Sequence, residues 1–79
     1  MIRFEIGAKY SMSFIGDHDL VITYTVIDRT EKTITIKDNH GEVKKCRINA
    51  GFSNFDGAEC VFPLGRYSMA PILRARYQA

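Results

Sequence analysis

The feature that most constrains this chain is a two-residue alternation through "LVITYTVID", residues 20–28. Leu20, Ile22, Tyr24 and Val26 fall on one side, and Val21, Thr23, Thr25 and Ile27 on the other. Side chains two apart share a face only in an extended strand; a helix would need a period near 3.6. The residues are almost all β-branched or aromatic, which suits a pleated surface. The chain therefore builds its core from sheet.

The pattern continues after a polar turn, "RTEK". "TITIK" sets Ile34 and Ile36 on one face and Thr33, Thr35 and Lys37 on the other. "DNHG" at 38–41 is the clearest turn, because Asn39 and Gly41 tolerate positive φ and Asp38 can bond the turn's own backbone. "EVKKCRIN" then returns as the antiparallel partner. With Asp38 opposite Glu42, Ile36 faces Lys44 and Ile34 faces Cys46, with Ile48 beyond. The opposite face collects Thr33, Thr35, Lys37, Val43, Lys45 and Arg47. A slip of one residue would exchange the faces.

The other segments are shorter. "GAKYSMSF" reads as a strand and "GDHD" as the loop after it. "AGFSNFDG" reads as a loop with room for one helical turn, and "AECVFPL" as a short strand ended or kinked at Pro63. "PLGRYSMAPILRARY", residues 63–77, carries Pro71, which lacks an N–H and belongs at an edge or bend. Met69, Ile72 and Leu73 are its apolar plug. Seventy-nine residues make one domain, 1–79, burying about 60% of its unfolded surface. Such a chain has to hide its strand edges, and curling the sheet into a barrel does so. The expected fold is all-β: a small five- to six-stranded antiparallel SH3-like barrel, closed by the C-terminal segment pairing with an early strand. An OB-fold would need longer strands and a helix.

"YTVIDRTEKTITIKDNHGEVKKCRI", with "AEC" and "PLGRYSMAP", resembles a group of small uncharacterised bacterial proteins encoded near plasmid or conjugative-element genes. The resemblance covers residues 7–75. Its most specific pieces are the Arg-Thr-x-Lys-Thr-x-Thr pattern at 29–35 and "GRYSMAP" at 65–71. It implies a small all-β barrel and brings no activity and no catalytic residue.

The chemistry the residues offer is limited. Zinc needs four converging ligands, usually in close pairs. Asp17, His18, Asp19, His40, Cys46 and Cys60 supply neither a C-x-x-C nor an H-x-x-x-H pair. No metal and no cofactor is expected. Cys46 or Cys60 with a histidine would be the nucleophilic pair. His40, however, sits at a hairpin tip, and so small a barrel has little room for a pocket. No catalytic residue is assigned and an enzyme is not expected. The start "MIRFEIGAKYSM" has no long apolar run, and no stretch approaches the roughly 18 residues of a membrane span. A cytoplasmic location with reduced cysteines is expected.

Two binding readings remain. For a protein partner, Tyr10, Phe14, Phe52, Phe55 and Tyr67 are the candidate aromatic lining of a groove. Phe52 and Phe55, spaced i, i+3, are expected to point the same way. For nucleic acid, Lys37, Lys45, Arg47, Arg66 and Arg74 are the candidate phosphate contacts, with Tyr67 stacking a base. Eleven basic against nine acidic residues give only +2, and Asp28, Glu31, Asp38 and Glu42 interrupt the same region. A protein-binding module is the first reading and a nucleic-acid-binding barrel the alternative.

Overall fold

The structure is a computed structural model that describes residues 1–14, 17–65 and 70–76. β1 (Lys9–Phe14), β2 (Asp17–Arg29), β3 (Thr33–Lys37) and β4 (Val43–Arg47) form one antiparallel sheet in that order. A helix, α1 (Ala50–Asp56), follows, and β5 (Cys60–Val61) pairs with β6 (Leu73–Arg74) in a second, two-stranded sheet. The fold is mostly β, and among the described residues the two sheets do not join into a closed barrel.

The alternation in the sequence sets the faces. Tyr10 and Met12 of β1, Tyr24 and Val26 of β2, Ile34 and Ile36 of β3 and Cys46 of β4 are buried on one side of the main sheet. The other side is solvated, as one face of an antiparallel sheet commonly is. The register of the central hairpin is the one the sequence sets out: Ile34 opposite Cys46, Ile36 opposite Lys44, and Thr35 opposite Lys45. Asp38 closes its turn by accepting the N–H groups of His40 and Glu42 on Oδ1, both at 2.9 Å.

β2 is thirteen residues long and bends. Its register with β3 shifts between Val26 and Asp28. A bulge adds twist and lets one strand serve two neighbours in different directions. At the bend Val26 exchanges bonds with the N-terminal segment: its N–H donates to the Ala8 carbonyl (3.0 Å) and its carbonyl accepts from Gly7 (2.7 Å). Residues 1–6 then cross the buried face. Ile2 makes an isolated parallel bridge with Ala58. Phe4 meets Tyr10 edge to face with ring centroids 4.9 Å apart.

α1 is longer than the single turn the sequence allowed. Asn49 caps it, its side chain accepting the Phe52 N–H at 2.9 Å, and Gly57 ends it at φ 78°. Ser53 is its one buried residue. The Ser53 hydroxyl donates to the Asn49 carbonyl (2.6 Å) and accepts the Cys60 N–H (3.0 Å), tying helix to β5.

The C-terminal segment closes the core by another route than pairing with an early strand. Leu73 pairs with Val61 and Arg74 with Cys60, and β6 lies against β1. Ala70, Pro71, Leu73 and Ala75 are buried. Pro71 lies outside a strand, where its missing N–H removes no ladder bond. Met69 lies outside the described residues.

One buried ion pair holds the corner between these parts. Arg29, the last residue of β2, donates to both carboxylate oxygens of Glu59, at 2.7 and 3.0 Å, and to the Phe4 carbonyl at 2.6 Å. Glu59 also accepts the Phe4 N–H at 2.7 Å, and Arg3 approaches it at 3.8 Å. Burial pushes the Glu59 carboxyl up. The Arg29 and Phe4 hydrogen bonds and the charges of Arg29 and Arg3 outweigh that push and hold it below the usual carboxylate range. Arg29 is thus spent on the fold and is not part of a basic surface.

Candidate functional site

β4 is the last strand of the main sheet, so one of its edges has no neighbour in that sheet. Which backbone groups lie on that edge follows from the hairpin. Asp38 donates to the Glu42 carbonyl (3.0 Å) and Ile48 to the Lys32 carbonyl (2.8 Å). In an antiparallel ladder hydrogen-bonded pairs recur every second residue. The backbone of residues 42, 44, 46 and 48 is therefore turned to β3, and that of Val43, Lys45 and Arg47 is turned away. Asn49 continues the outward set, and its N–H is taken by the Cys60 carbonyl at 2.8 Å. The edge is covered at that end by β5. Among the described residues no strand pairs with it from Val43 to Arg47.

A groove of about 1080 Å³ runs along this edge. Lys45 and Arg47 from the solvated face of β4 and half-buried Lys44 from its inner face line it, Phe62 and Pro63 give it an apolar wall, and Lys32 and Glu31 of the β2–β3 turn also line it. Phe62 meets Phe52 edge to face at 5.4 Å, so α1 braces the apolar wall. Four cations against one anion make the groove positive, although the whole chain carries only +2. Cys46 lines it as well. Burial pushes the Cys46 thiol up, against a smaller downward pull from Lys44. At Cys60 burial pushes the thiol up, Asp56 adds to the push, and Arg74 and Arg76 oppose it. Both cysteines are free and buried. A thiol held protonated and away from solvent is a poor nucleophile. Exposed His40 lies at the hairpin tip.

Among the described residues, those expected at an aromatic groove, Tyr10, Phe52 and Phe55, do not form one lining. Tyr10 is core: it lies on the inner face of β1, packs on Phe4, and accepts the Glu5 N–H on its hydroxyl at 2.8 Å. The alternation of "KYSMSF" already puts Tyr10 with Met12 and opposite Lys9, Ser11 and Ser13. Phe14 closes β1, and its side chain lies outside the described residues, as does Tyr67. Phe52 and Phe55 lie about 60° apart round the helix but differ in burial: Phe52 is half-buried against Phe62, whereas Phe55 is 90% exposed. At about 100° per residue, Phe55 sits some 200° round the helix from buried Ser53, and Phe52 only about 100°. α1 docks by the narrow Ser53 edge, so one ring flanks the contact and the other faces away.

The basic set divides as well. Lys37, Lys45 and Arg47 share the solvated face of β3 and β4 and are exposed, as the alternation places them. Arg74 is on β6, 3.7 Å from Asp56, which Arg76 also pairs at 3.4 Å. It is not among the described residues that line the groove with the hairpin cations, and it shares the single Asp56 carboxylate with Arg76. Arg66 lies outside the described residues. Sequence reasoning missed Phe62, which no motif marks; Lys44, which alternation assigns to the inner face, is only half-buried and reaches the groove beside the hairpin cations. Among the described residues no three His, Cys, Asp or Glu side chains converge, and no helix is long and apolar enough to cross a membrane. Comparison with family models, curated proteins and solved structures finds no match.

Proposed function

We propose that this chain is a non-enzymatic binding module whose groove beside β4 holds a segment of a partner protein. The observation that carries the reading is the coincidence of an unpaired strand edge, a positive wall and an apolar wall in one groove. Grooves with a few polar groups on an apolar wall are the usual form of a binding site. The buried, protonated thiols support a binding role over a catalytic one. The frame belongs to the SH3-like barrel type. A long bent strand, a hairpin, a short helix and a small second sheet over one face support that assignment. The likeness to small bacterial proteins of plasmid and conjugative elements, and a cytoplasmic setting suited to two free cysteines, belong to the same proposal.

A displayed library of random peptides tests the reading. Clones retained by the native protein and released by the Lys45→Glu/Arg47→Glu double variant are the expected result. A library that yields no retained clone overturns it. The second reading, a nucleic-acid-binding barrel, is favoured by Lys37, Lys45 and Arg47 lying together on one solvated face. It requires affinity for a mixed oligonucleotide that falls steeply with added salt.

A further inference from the structure

We propose that the outer edge of β4 takes up an extended acidic peptide as an added strand. This rests on the reading of the chain as a protein-binding module and names the chemistry of the partner. Val43, Lys45 and Arg47 present their N–H and C=O groups outward beside the groove. Such a row is a template for another strand. At about 3.4 Å per residue the five residues of β4 offer some 17 Å of edge, enough to pair about five residues of a longer peptide.

The charges choose the occupant. A second copy of this chain is the simplest candidate for a free edge. A two-fold pairing centred on Lys45 would, however, set Lys45 against its own counterpart. Like charges directly opposite destabilise a strand pair. A peptide with carboxylates on the same face meets Lys45 and Arg47 instead. Its alternate side chains fall on the side of Cys46, Ile48 and half-buried Lys44, in the groove that Phe62 and Pro63 also line, where apolar groups are favoured. An acidic–apolar alternation is the sequence this groove selects. A single-stranded nucleic acid fits less well. Base binding uses aromatic platforms, and Phe62, the one aromatic among the described lining residues, already meets Phe52 edge to face.

The test uses a blocked seven-residue peptide alternating glutamate and valine, added to the isotope-labelled full chain. Two further versions are N-methylated, each on one of the two sets of alternate amides. The expected result is that the amides of Val43, Lys45 and Arg47 shift and exchange at least tenfold more slowly. One N-methylated version keeps its affinity and the other loses it, because an added strand uses only one of its edges. Lys45→Glu/Arg47→Glu lowers the affinity at least tenfold. Equal binding of both N-methylated versions, absence of binding at millimolar peptide, or shifts on another face overturns the inference. If library peptides bind but the shifts lie elsewhere, the edge is wrong and the protein-binding reading stands. If oligothymidylate shifts these amides and no peptide does, both fall.

Discussion

Replacing Glu59 by glutamine removes one charge from a buried pair and leaves the other in place. Arg29 is 12% exposed at its side chain and directs three hydrogen bonds into the corner between β2, the N-terminal segment and β5. Glutamine keeps the shape but offers one carbonyl oxygen where the carboxylate offers two. Placed where Oε1 stands, that oxygen can still accept from the Phe4 N–H and one Arg29 nitrogen, but the amide NH2 then faces the second Arg29 nitrogen, whose 3.0 Å acceptor is gone. Breaking a buried pair from one side costs about 3–5 kcal/mol. A domain of this size has roughly 4–12 kcal/mol to lose. At about 4–8 °C per kcal/mol the melting temperature should fall by at least ~12 °C. Far-ultraviolet circular dichroism at pH 7 measures both, the free-energy loss in urea and the melting temperature on heating. Arg29→Met/Glu59→Leu, which removes both charges, should recover most of the loss. The pH dependence adds a sign. The folded carboxyl titrates below its unfolded value of about 4.3, so its contribution is fully present above that value. It is lost as pH falls through the folded value. The stability difference between native protein and Glu59→Gln should therefore be constant from pH 7 to about 5 and shrink below it. A single variant as stable as the native protein, or a difference that does not shrink in acid, refutes the reasoning.

The two phenylalanines of α1 should separate. Phe55→Ala should leave stability within about 0.5 kcal/mol, because the ring is exposed, while Phe52→Ala should cost about 2 kcal/mol by removing the edge-to-face contact with Phe62 and its partial burial; chemical denaturation of both checks the order. Cys46 and Cys60 should react with a thiol reagent only as fast as the protein opens, since both are buried and pushed towards the neutral thiol. A burst of two fast thiols in the native protein would contradict that.

What the sequence made legible is what depends on local period. The "TITIK"–"DNHG"–"EVKKCRIN" hairpin carries alternation on both strands and a turn that fixes their offset. Its register and both of its faces follow from those residues alone, and so does the exposed trio of Lys37, Lys45 and Arg47. β2 was legible for the same reason, but its bulge was not. The bulge depends on Val26 bonding residues 7 and 8, which no local pattern announces. The caps of α1, Asn49 and Gly57, are in the sequence. A helix of seven residues is nevertheless too short for a period to show, so the unequal burial of Phe52 and Phe55 came from how Ser53 docks. Glu59 reads as one acid in a short apolar run, and its partner is thirty residues away. Non-local pairs of that kind leave no trace in spacing. The candidate groove has the same origin: its two walls, β4 and residues 62–63, meet only in the folded chain.

Amide exchange along β4 in the free protein tests the central claim most directly. An unpaired outer edge predicts an alternating pattern, with fast exchange at Val43, Lys45 and Arg47 and slow exchange at Lys44, Cys46 and Ile48. Uniformly slow exchange from Val43 to Arg47 would mean that the edge is already paired, and the account of a strand-accepting groove would be wrong.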